Sequence, residues 1–515
     1  MQRVATQGPA RPGRRDRATG APGAAGWLAG ILAAAAGLIA SELVARLSGT
    51  VSPFVAVGNR AVDLSPTPVK EWAIATFDTA DKAVLLGGAL IVVLALAALA
   101  GAVAVRRFTA GMLIGVGLAA LALLAVVFEP GGSAAALLPL AALVIVGLGA
   151  LRLLVTAAAE PASGPDGRRR FLVRAGGVAA ATAVGGLLLG VLPEPAATRV
   201  RRALRLPAPT RPAAAPPPAL PVPELGPHIV PSDSFYRIDT ALVVPDVDPA
   251  DWTLRVTGLV DRPLTLSFAD LLARPLVERR VTLACVSNPV GGDLIGNATW
   301  LGVPIAEILA EAGVQAGADA VKSTSADGWT CGTPLAALTD GRDALLAVGM
   351  NGEPLPAEHG FPVRMVVPGL YGYVSATKWL AELEVTRFAD FAAYWTVRGW
   401  SEQGPVKTSC RIDVPRESQV PAGRVWLAGV AWAQHTGIDR VEVQIGDGPW
   451  QAAELADEDT IDTWRQWRLA WDAVPGEYRV TARATDRTGA TQTSEVRGVL
   501  PDGATGWPSR TYRVA

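Results

Sequence analysis

An apolar run, Val281-Thr282-Leu283-Ala284, ends in Cys285-Val286-Ser287-Asn288, followed by Pro289 and the pair Gly291-Gly292. A strand-like run that delivers a thiol to a turn, beside a loop that lets other groups come close, has two chemical uses. The thiolate can ligate a soft metal, or it can attack a substrate. Against both stands the plain reading of a half-buried structural cysteine. The remaining inventory narrows the metal option. The chain holds three cysteines, at 285, 331 and 410, and three histidines, at 228, 359 and 435. These are too few for a disulfide scaffold, a cysteine-rich zinc or iron–sulfur site, or a histidine-based metal centre. Any metal must therefore arrive inside a cofactor. Cys331 and Cys410 have no motif around them and read as structural.

The elements that must carry such a site divide the chain. Of 515 residues, 50% are hydrophobic and 18% charged, with 40 prolines. That is too apolar for one ordinary soluble protein and too charged and proline-rich for a pure membrane bundle, so a membrane part and a soluble part are expected. The 46 basic and 47 acidic residues nearly cancel, which gives no footprint for nucleic acid. Residues 1–26 are basic and rich in Pro and Gly, and read as a disordered arm. Five apolar stretches follow, about 27–47, 83–105, 109–128, 134–156 and 171–192, each long enough to cross a bilayer. The arginine clusters of the arm, Arg106-Arg107, and Arg168 to Arg170 fall on one side of such a bundle. The positive-inside rule makes that side the cytoplasm and puts the rest of the chain outside. Glu42 and Arg46 lie one turn apart in the first stretch and read as a local pair.

Residues 193–227 carry Pro/Ala runs and read as a semi-rigid polyproline tether that lifts the soluble part off the membrane. From 228 to 414 strand signals alternate with short helices, such as the Ser267-capped segment and Pro304 to Ala312, an α+β pattern. From 415 to 515 short alternating strands separated by turns, notably Gly446-Asp447-Gly448, suggest an immunoglobulin-like β-sandwich without a disulfide.

The Cys285-x-x-Asn288 unit and Trp300-Leu301-Gly302 after it resemble the molybdopterin domain of the sulfite oxidase family. The resemblance continues through Phe235-Tyr236-Arg237, His359-Gly360-Phe361-Pro362-Val363-Arg364, Val367-Pro368-Gly369 and Lys378-Trp379-Leu380, in order over roughly 230–410. It implies a cofactor, Mo-molybdopterin, with Cys285 donating a sulfur to molybdenum. It further implies that Phe235, Tyr236, Arg237, Ser287, Asn288, His359, Arg364 and Lys378 line the cofactor. Arg364 and Lys378 would meet its phosphate and His359 the pterin or phosphate. Arg237, Trp300 and Arg468 would face the substrate, Arg468 reaching in from the second, dimerisation-type domain. That domain type raises a homodimer as an option. Each has a plain alternative: an ion pair for Arg364, a solvated charge for Lys378, a turn histidine, a core tryptophan, a surface strand arginine for Arg468.

Gly167-Arg168-Arg169-Arg170-Phe171-Leu172 resembles a twin-arginine export signal, which fits a protein loaded with its cofactor before it crosses the membrane. Sulfite-oxidising relatives carry arginines after the Cys-x-x-Asn unit; here stand Pro289, Val290, Gly291, Gly292 and Asp293. A buried dianion needs compensating charge, so the expected substrate is a small neutral or zwitterionic oxo donor or acceptor instead of sulfite. No Cys-x-x-Cys-His haem motif is present, so electrons would leave through a separate partner. The competing reading is a non-catalytic membrane receptor or binding protein that reuses the fold without cofactor.

Overall fold

The computed structural model describes residues 23–66, 69, 72, 76–77, 80–129, 134–159, 165–192, 194 and 196–515. Most of the expected disordered arm, residues 1–22, lies outside them. The chain forms two compact units that part between residues 193 and 194.

In the first unit five helices are long and apolar enough to cross a membrane: Ala24–Ser48, Lys82–Arg106, Phe108–Val127, Ala134–Ala159 and Arg169–Val191. The first packs through small residues, Gly26, Ala29, Gly30, Ala33, Gly37, Ser41 and Ala45, repeated three or four apart. A Cβ at Gly30 would stand 1.9 Å from the Ala97 carbonyl oxygen, so only glycine permits this backbone approach. Glu42 and Arg46 form the local pair at 3.4 Å. A sixth helix, Pro53–Leu64, is capped by Ser52 and escaped the sequence reading because its apolar residues cover only one face.

The second unit begins with a strap, which corrects the tether expected at 193–227. A short helix, Ala196–Ala203, leads into extended chain. Its backbone groups, which polyproline geometry leaves unpaired, find partners on the domain itself. The Thr210 N–H and hydroxyl both donate to the Leu276 carbonyl, at 2.7 and 2.9 Å. Ala213 N–H donates to Glu278, and Val222 packs with Val414 and Ala428. The segment is stitched down, not held off.

Ten strands follow: β1 Thr253–Gly258, β2 Leu264–Ser267, β3 Val277–Ala284, β4 Ile295–Pro304, β5 Ala320–Ser325, β6 Thr330–Pro334, β7 Leu345–Met350, β8 Glu353–Pro354, β9 Arg364–Val366 and β10 Leu380–Thr386. They build two sheets, β2-β1-β10-β5-β6 and β3-β4-β7-β8, with β9 paired to β7. Ser267 closes a capping box with Asp270 on a one-turn helix, Phe268–Leu272, as its sequence suggests. Nine more strands form the C-terminal part: β11 Ser409–Val414, β12 Gln419–Val420, β13 Gly423–Trp432, β14 Ile438–Ile445, β15 Gln451–Ala452, β16 Glu454–Leu455, β17 Arg465–Ala473, β18 Gly476–Asp486 and β19 Ser509–Val514. Their sheets, β11-β13-β17-β16 and β12-β19-β18-β14-β15, share a core that includes Leu427, Val443, Trp467, Val480 and Tyr512. Because β11 pairs with β13, this part starts near Ser409 and not at 415. Pro415 ends a strand; it does not separate domains.

The two parts of this unit are welded along β3. The Arg280 guanidinium, 6% exposed as a residue, makes a two-point contact with Asp459, one arm at 2.7 Å, and donates to the Ala214 carbonyl of the strap. His228 also reaches Asp459, at 3.0 Å. Two residues along, Thr282 N–H donates to the Asp462 carbonyl, and its hydroxyl accepts from Trp464 N–H. Burial alone would raise the Asp459 pKa, but hydrogen bonds from His228 and Arg280 and their charges outweigh it and hold the carboxyl below its usual range. The stabilisation is therefore present above the ordinary carboxylate pKa and is lost as pH falls through the lowered value. Asp459→Ala strands a buried guanidinium and should cost about 3–5 kcal/mol. Urea unfolding of the detergent-solubilised chain at pH 7, followed by tryptophan fluorescence, checks this; an unchanged midpoint would contradict it.

Candidate active site

Strand β3 runs antiparallel to β4, ending in the pair Ala284–Ile295, and hands the chain to Cys285. Cys285 N–H donates to the Leu294 carbonyl, and Asn288 N–H returns to the Cys285 carbonyl at 3.1 Å, a tight turn. The Asn288 side-chain oxygen accepts from Leu294 N–H, so Asn288 staples the loop. A Cβ at Gly292 would lie 2.4 Å from that oxygen, which explains the glycine. Burial pushes the Cys285 thiol pKa up, while hydrogen bonds from Ser287 and the Lys378 charge pull it back. Ser287 and Lys378 are thus the neighbours that favour the thiolate.

Arg364 leaves β9 into the same region and is 4% exposed. It donates to three carbonyls, of Met365, His359 and Ala376, at 3.3, 3.2 and 3.5 Å. Its guanidinium lies 5.0 Å from the Trp300 ring. Among the described residues no carboxylate pairs with it. Burial lowers its pKa to about 10, against a raising effect of Tyr236. Lys378 donates to Asp239 at 2.9 Å and to the Glu358 carbonyl at 3.0 Å. Burial, opposed by Asp239, brings its pKa to about 8.

His359 lies between these cations. Burial first, then Lys378 and Arg364, lower its pKa to about 3, so the ring is neutral. Its Nε2 faces the Ser232 carbonyl at 2.9 Å and must donate there. Nδ1 is then a bare acceptor, buried and, among the described residues, without a partner. Phe235 stacks on Tyr236 at 5.1 Å and meets Trp300 and His359 edge-on at 5.8 and 5.6 Å. Tyr236 is partly buried. Burial raises its pKa, Cys285 adds to the rise and Arg364 opposes it, which places the phenol near both.

The three residues expected to face the substrate are placed otherwise. Trp300 has no exposed surface and donates to the Val281 carbonyl; it is a core residue beneath Arg364, not a pocket wall. Arg468 makes two 2.8 Å bonds to Glu454 and lies 4.8 Å from the Trp426 ring. Strand alternation explains this: Trp467 points into the sandwich core, so Arg468 points out. Arg237 binds Asp239 at 2.9 Å and is partly exposed, at the margin of the basic group. Cys331 and Cys410 are buried, and burial raises both thiol pKa values, Cys331 to about 11.

The arginine that does reach the Cys285 loop from the C-terminal part is Arg411, which donates to the Gly292 carbonyl at 3.1 Å. Asp413 already holds it at 2.5 Å. Tyr371, 6% exposed, also escaped the sequence reading. Burial first raises its pKa to about 12, and Asp502 and Cys285 contribute. Neither residue sits in a motif; only the strand alternation of Cys410-Arg411-Ile412-Asp413 hints that Arg411 faces away from the sandwich core.

The donors suit a sulfur-bound metal on an anionic, nitrogen-rich group. Cys285 would be the soft ligand, Arg364 offers a buried cation and Lys378 a largely covered one, and the His359 Nδ1 is an acceptor open to an N–H. Among the described residues, no cluster of three or more His, Cys, Asp or Glu could hold a metal ion unaided. Comparison with known proteins points the same way. Residues 241–395 match the family model described as an oxidoreductase molybdopterin binding domain. The chain is 39% identical over 171 residues to the uncharacterized oxidoreductase YuiH of Bacillus subtilis, covering 33% of this chain and 83% of that one. It is 31% identical over 311 residues to human mitochondrial sulfite oxidase, covering 50% of this chain and 56% of the human one, so it spans little more than half of that relative. The crystal structure of the sulfane dehydrogenase SoxCD from Paracoccus pantotrophus shares the fold, with a TM-score of 0.50 at 23% identity, over 56% of this chain and 84% of that one. With the thiol, the buried cations and these matches in hand, we assign the chain to the sulfite oxidase family of molybdopterin oxidoreductases.

Proposed function

We propose that this chain is a membrane-anchored, exported molybdenum oxidoreductase acting on a small substrate that is neutral or zwitterionic, such as an S-oxide or N-oxide. The observation that carries the reading is Arg364, a buried guanidinium without a carboxylate, in the same basic group as the bare His359 nitrogen and close to Cys285. A fold kept only as a receptor would gain nothing from that cost.

When bound, molybdopterin supplies two-electron oxygen-atom transfer at its metal. The residues of the chain do the rest. Cys285 donates its sulfur, and Ser287 steadies that sulfur. Asn288 fixes the loop. Arg364 and Lys378 hold the phosphate end, His359 accepts from the pterin, and Phe235 and Tyr236 pack beside it. Arg237, tied to Asp239, borders the group.

The substrate preference rests on charge. Residues 289–293 supply no cation, Arg468 is turned away, and Arg411 is neutralised by Asp413. Electrons leave through a separate partner, since the first 227 residues contain no histidine or cysteine with which to ligate a haem or cluster. The five apolar helices cross the cell membrane, and the arginine clusters keep their side cytoplasmic, so the second unit lies outside. Residues 228–408 form the cofactor domain with the strap laid on it, and 409–515 form an immunoglobulin-like sandwich available for pairing two copies.

Cys285→Ser should retain the fold and lose turnover, because a hydroxyl is a harder and rarely ionised ligand. Cys331→Ser and Cys410→Ser should stay active; near-normal turnover in Cys285→Ser would defeat the assignment. Arg364→Ala and Lys378→Ala should lower molybdenum content more than the rate per bound metal, each removing a charge-assisted contact of about 1.5–3 kcal/mol. Full loading with a slow rate would instead make them substrate residues. Replacing Arg168 and Arg169 by Lys keeps the topogenic charge. A twin-arginine route predicts loss of the outward domain in a protease-accessibility assay, and normal placement would exclude that route.

A further inference from the structure

Tyr371 follows Val367-Pro368-Gly369-Leu370 and has not been given a role above. Its neighbour Gly372 packs on the chain just before Cys285: a Cβ there would lie 3.8 Å from the Ala284 carbonyl oxygen. The Tyr371 backbone is fixed from three directions, by its N–H to the Gly404 carbonyl at 2.7 Å and by its own carbonyl, which accepts from Val374 N–H and the Ser375 hydroxyl. The ring is 6% exposed. Its oxygen accepts from Lys407 N–H at 3.5 Å, but among the described residues its own proton has no acceptor. A buried hydroxyl with an unused donor leaves a hydrogen bond to be made by something else.

What surrounds that hydroxyl is Lys407, just before β11, and a loop of the C-terminal part. The Lys407 ammonium donates to Asp502 and to the Gly503 carbonyl, both at 2.8 Å. Gly503 lies directly on the phenol, where an added Cβ would stand 2.8 Å from the Tyr371 oxygen, and its φ is +99°. Only glycine lets the loop close this tightly. The same loop approaches the chain after Cys285, with Pro508 near Gly291 and Gly506 near Val290. The ammonium is thus tied to the loop that covers the phenol and its charge is answered by Asp502, in a pair that stays open to solvent, 28% and 47% exposed as side chains.

We propose that Tyr371 donates the hydrogen bond that orients the substrate oxygen, and that Asp502, by holding Lys407, keeps the site selective for a neutral oxo group over an oxyanion. This rests on the molybdenum oxidoreductase reading and adds the residues that set its substrate class. A neutral acceptor oxygen needs only the phenol O–H. An oxyanion would need the Lys407 charge, which Asp502 has taken, and would meet the Asp502 carboxylate besides.

The test uses the full chain, purified in detergent with its molybdenum content measured. Tyr371→Phe should load normally and lose about tenfold or more in kcat/KM toward a dialkyl sulfoxide, mainly through KM, by loss of one hydrogen bond. Asp502→Asn should bind sulfate, a redox-inert oxyanion, about tenfold or more tightly than the parent chain by titration calorimetry, as a freed ammonium gains a charged acceptor. Adding Lys407→Gln to Asp502→Asn should abolish that gain. Loaded protein in which Tyr371→Phe is unchanged, or in which sulfate binding does not follow Asp502 and Lys407, would overturn this inference alone. A parent chain that contains no molybdenum would overturn the reading beneath it and this inference with it.

Discussion

A guanidinium shut away from water with no acid to answer it is the constraint around which the catalytic half is organised. Arg364 gains three carbonyl contacts and the face of Trp300. A cation over an aromatic ring returns about 0.5–2 kcal/mol. Desolvating an ion costs several kcal/mol, so these contacts offset the cost only in part. The surroundings make sense as a cradle that is complete when an anion enters. Lys378 adds a second, largely covered cation, and His359 stays neutral first because it is buried and then because both cations repel its proton. Trp300 serves by packing under the guanidinium, with Phe235 set against its edge.

The thiol must be held in register with this cradle, and that task falls to β3. It is pinned in its middle by Arg280 on Asp459 and nearer its end by Thr282 on Asp462 and Trp464. Three residues after Thr282 comes Cys285. The C-terminal sheets therefore do more than add mass: they fix the strand that presents the sulfur. Through Arg411, and through Asp502 on Lys407, the same part of the chain also sets the charge near the loop. Rigid support from a second layer of contacts is what a precisely placed ligand needs.

Much of this was legible in the sequence where the signal is local. Helix length and apolarity mark the membrane candidates, Ser267 marks its own cap, and alternation marks the strands of the C-terminal part. Cys285, Arg364, Lys378 and His359, which stand in ordered motifs, lie within electrostatic reach of one another. The failures share one physical cause, that a side chain's direction depends on partners distant in sequence. Proline-rich chain at 207–226 reads as a tether until one sees the Leu276 carbonyl and Glu278 waiting for its N–H groups. Arg468 and Arg411 both sit on strands, and only their distant partners, Glu454 for one and the Gly292 carbonyl for the other, tell which approaches the Cys285 loop. Tyr371 is marked by nothing in its own segment; its surroundings come from residues 404, 407 and 503.

The most direct measurement is the metal content of the full chain, purified from cells able to make molybdopterin, by mass spectrometry alongside a pterin assay. A buried, unanswered Arg364 next to a sulfur ligand predicts stoichiometric molybdenum with matching pterin, and loss of both in Arg364→Ala. A folded, metal-free and pterin-free chain whose stability is unchanged or improved by Arg364→Ala would contradict it, because the guanidinium would then be packing and not a cradle.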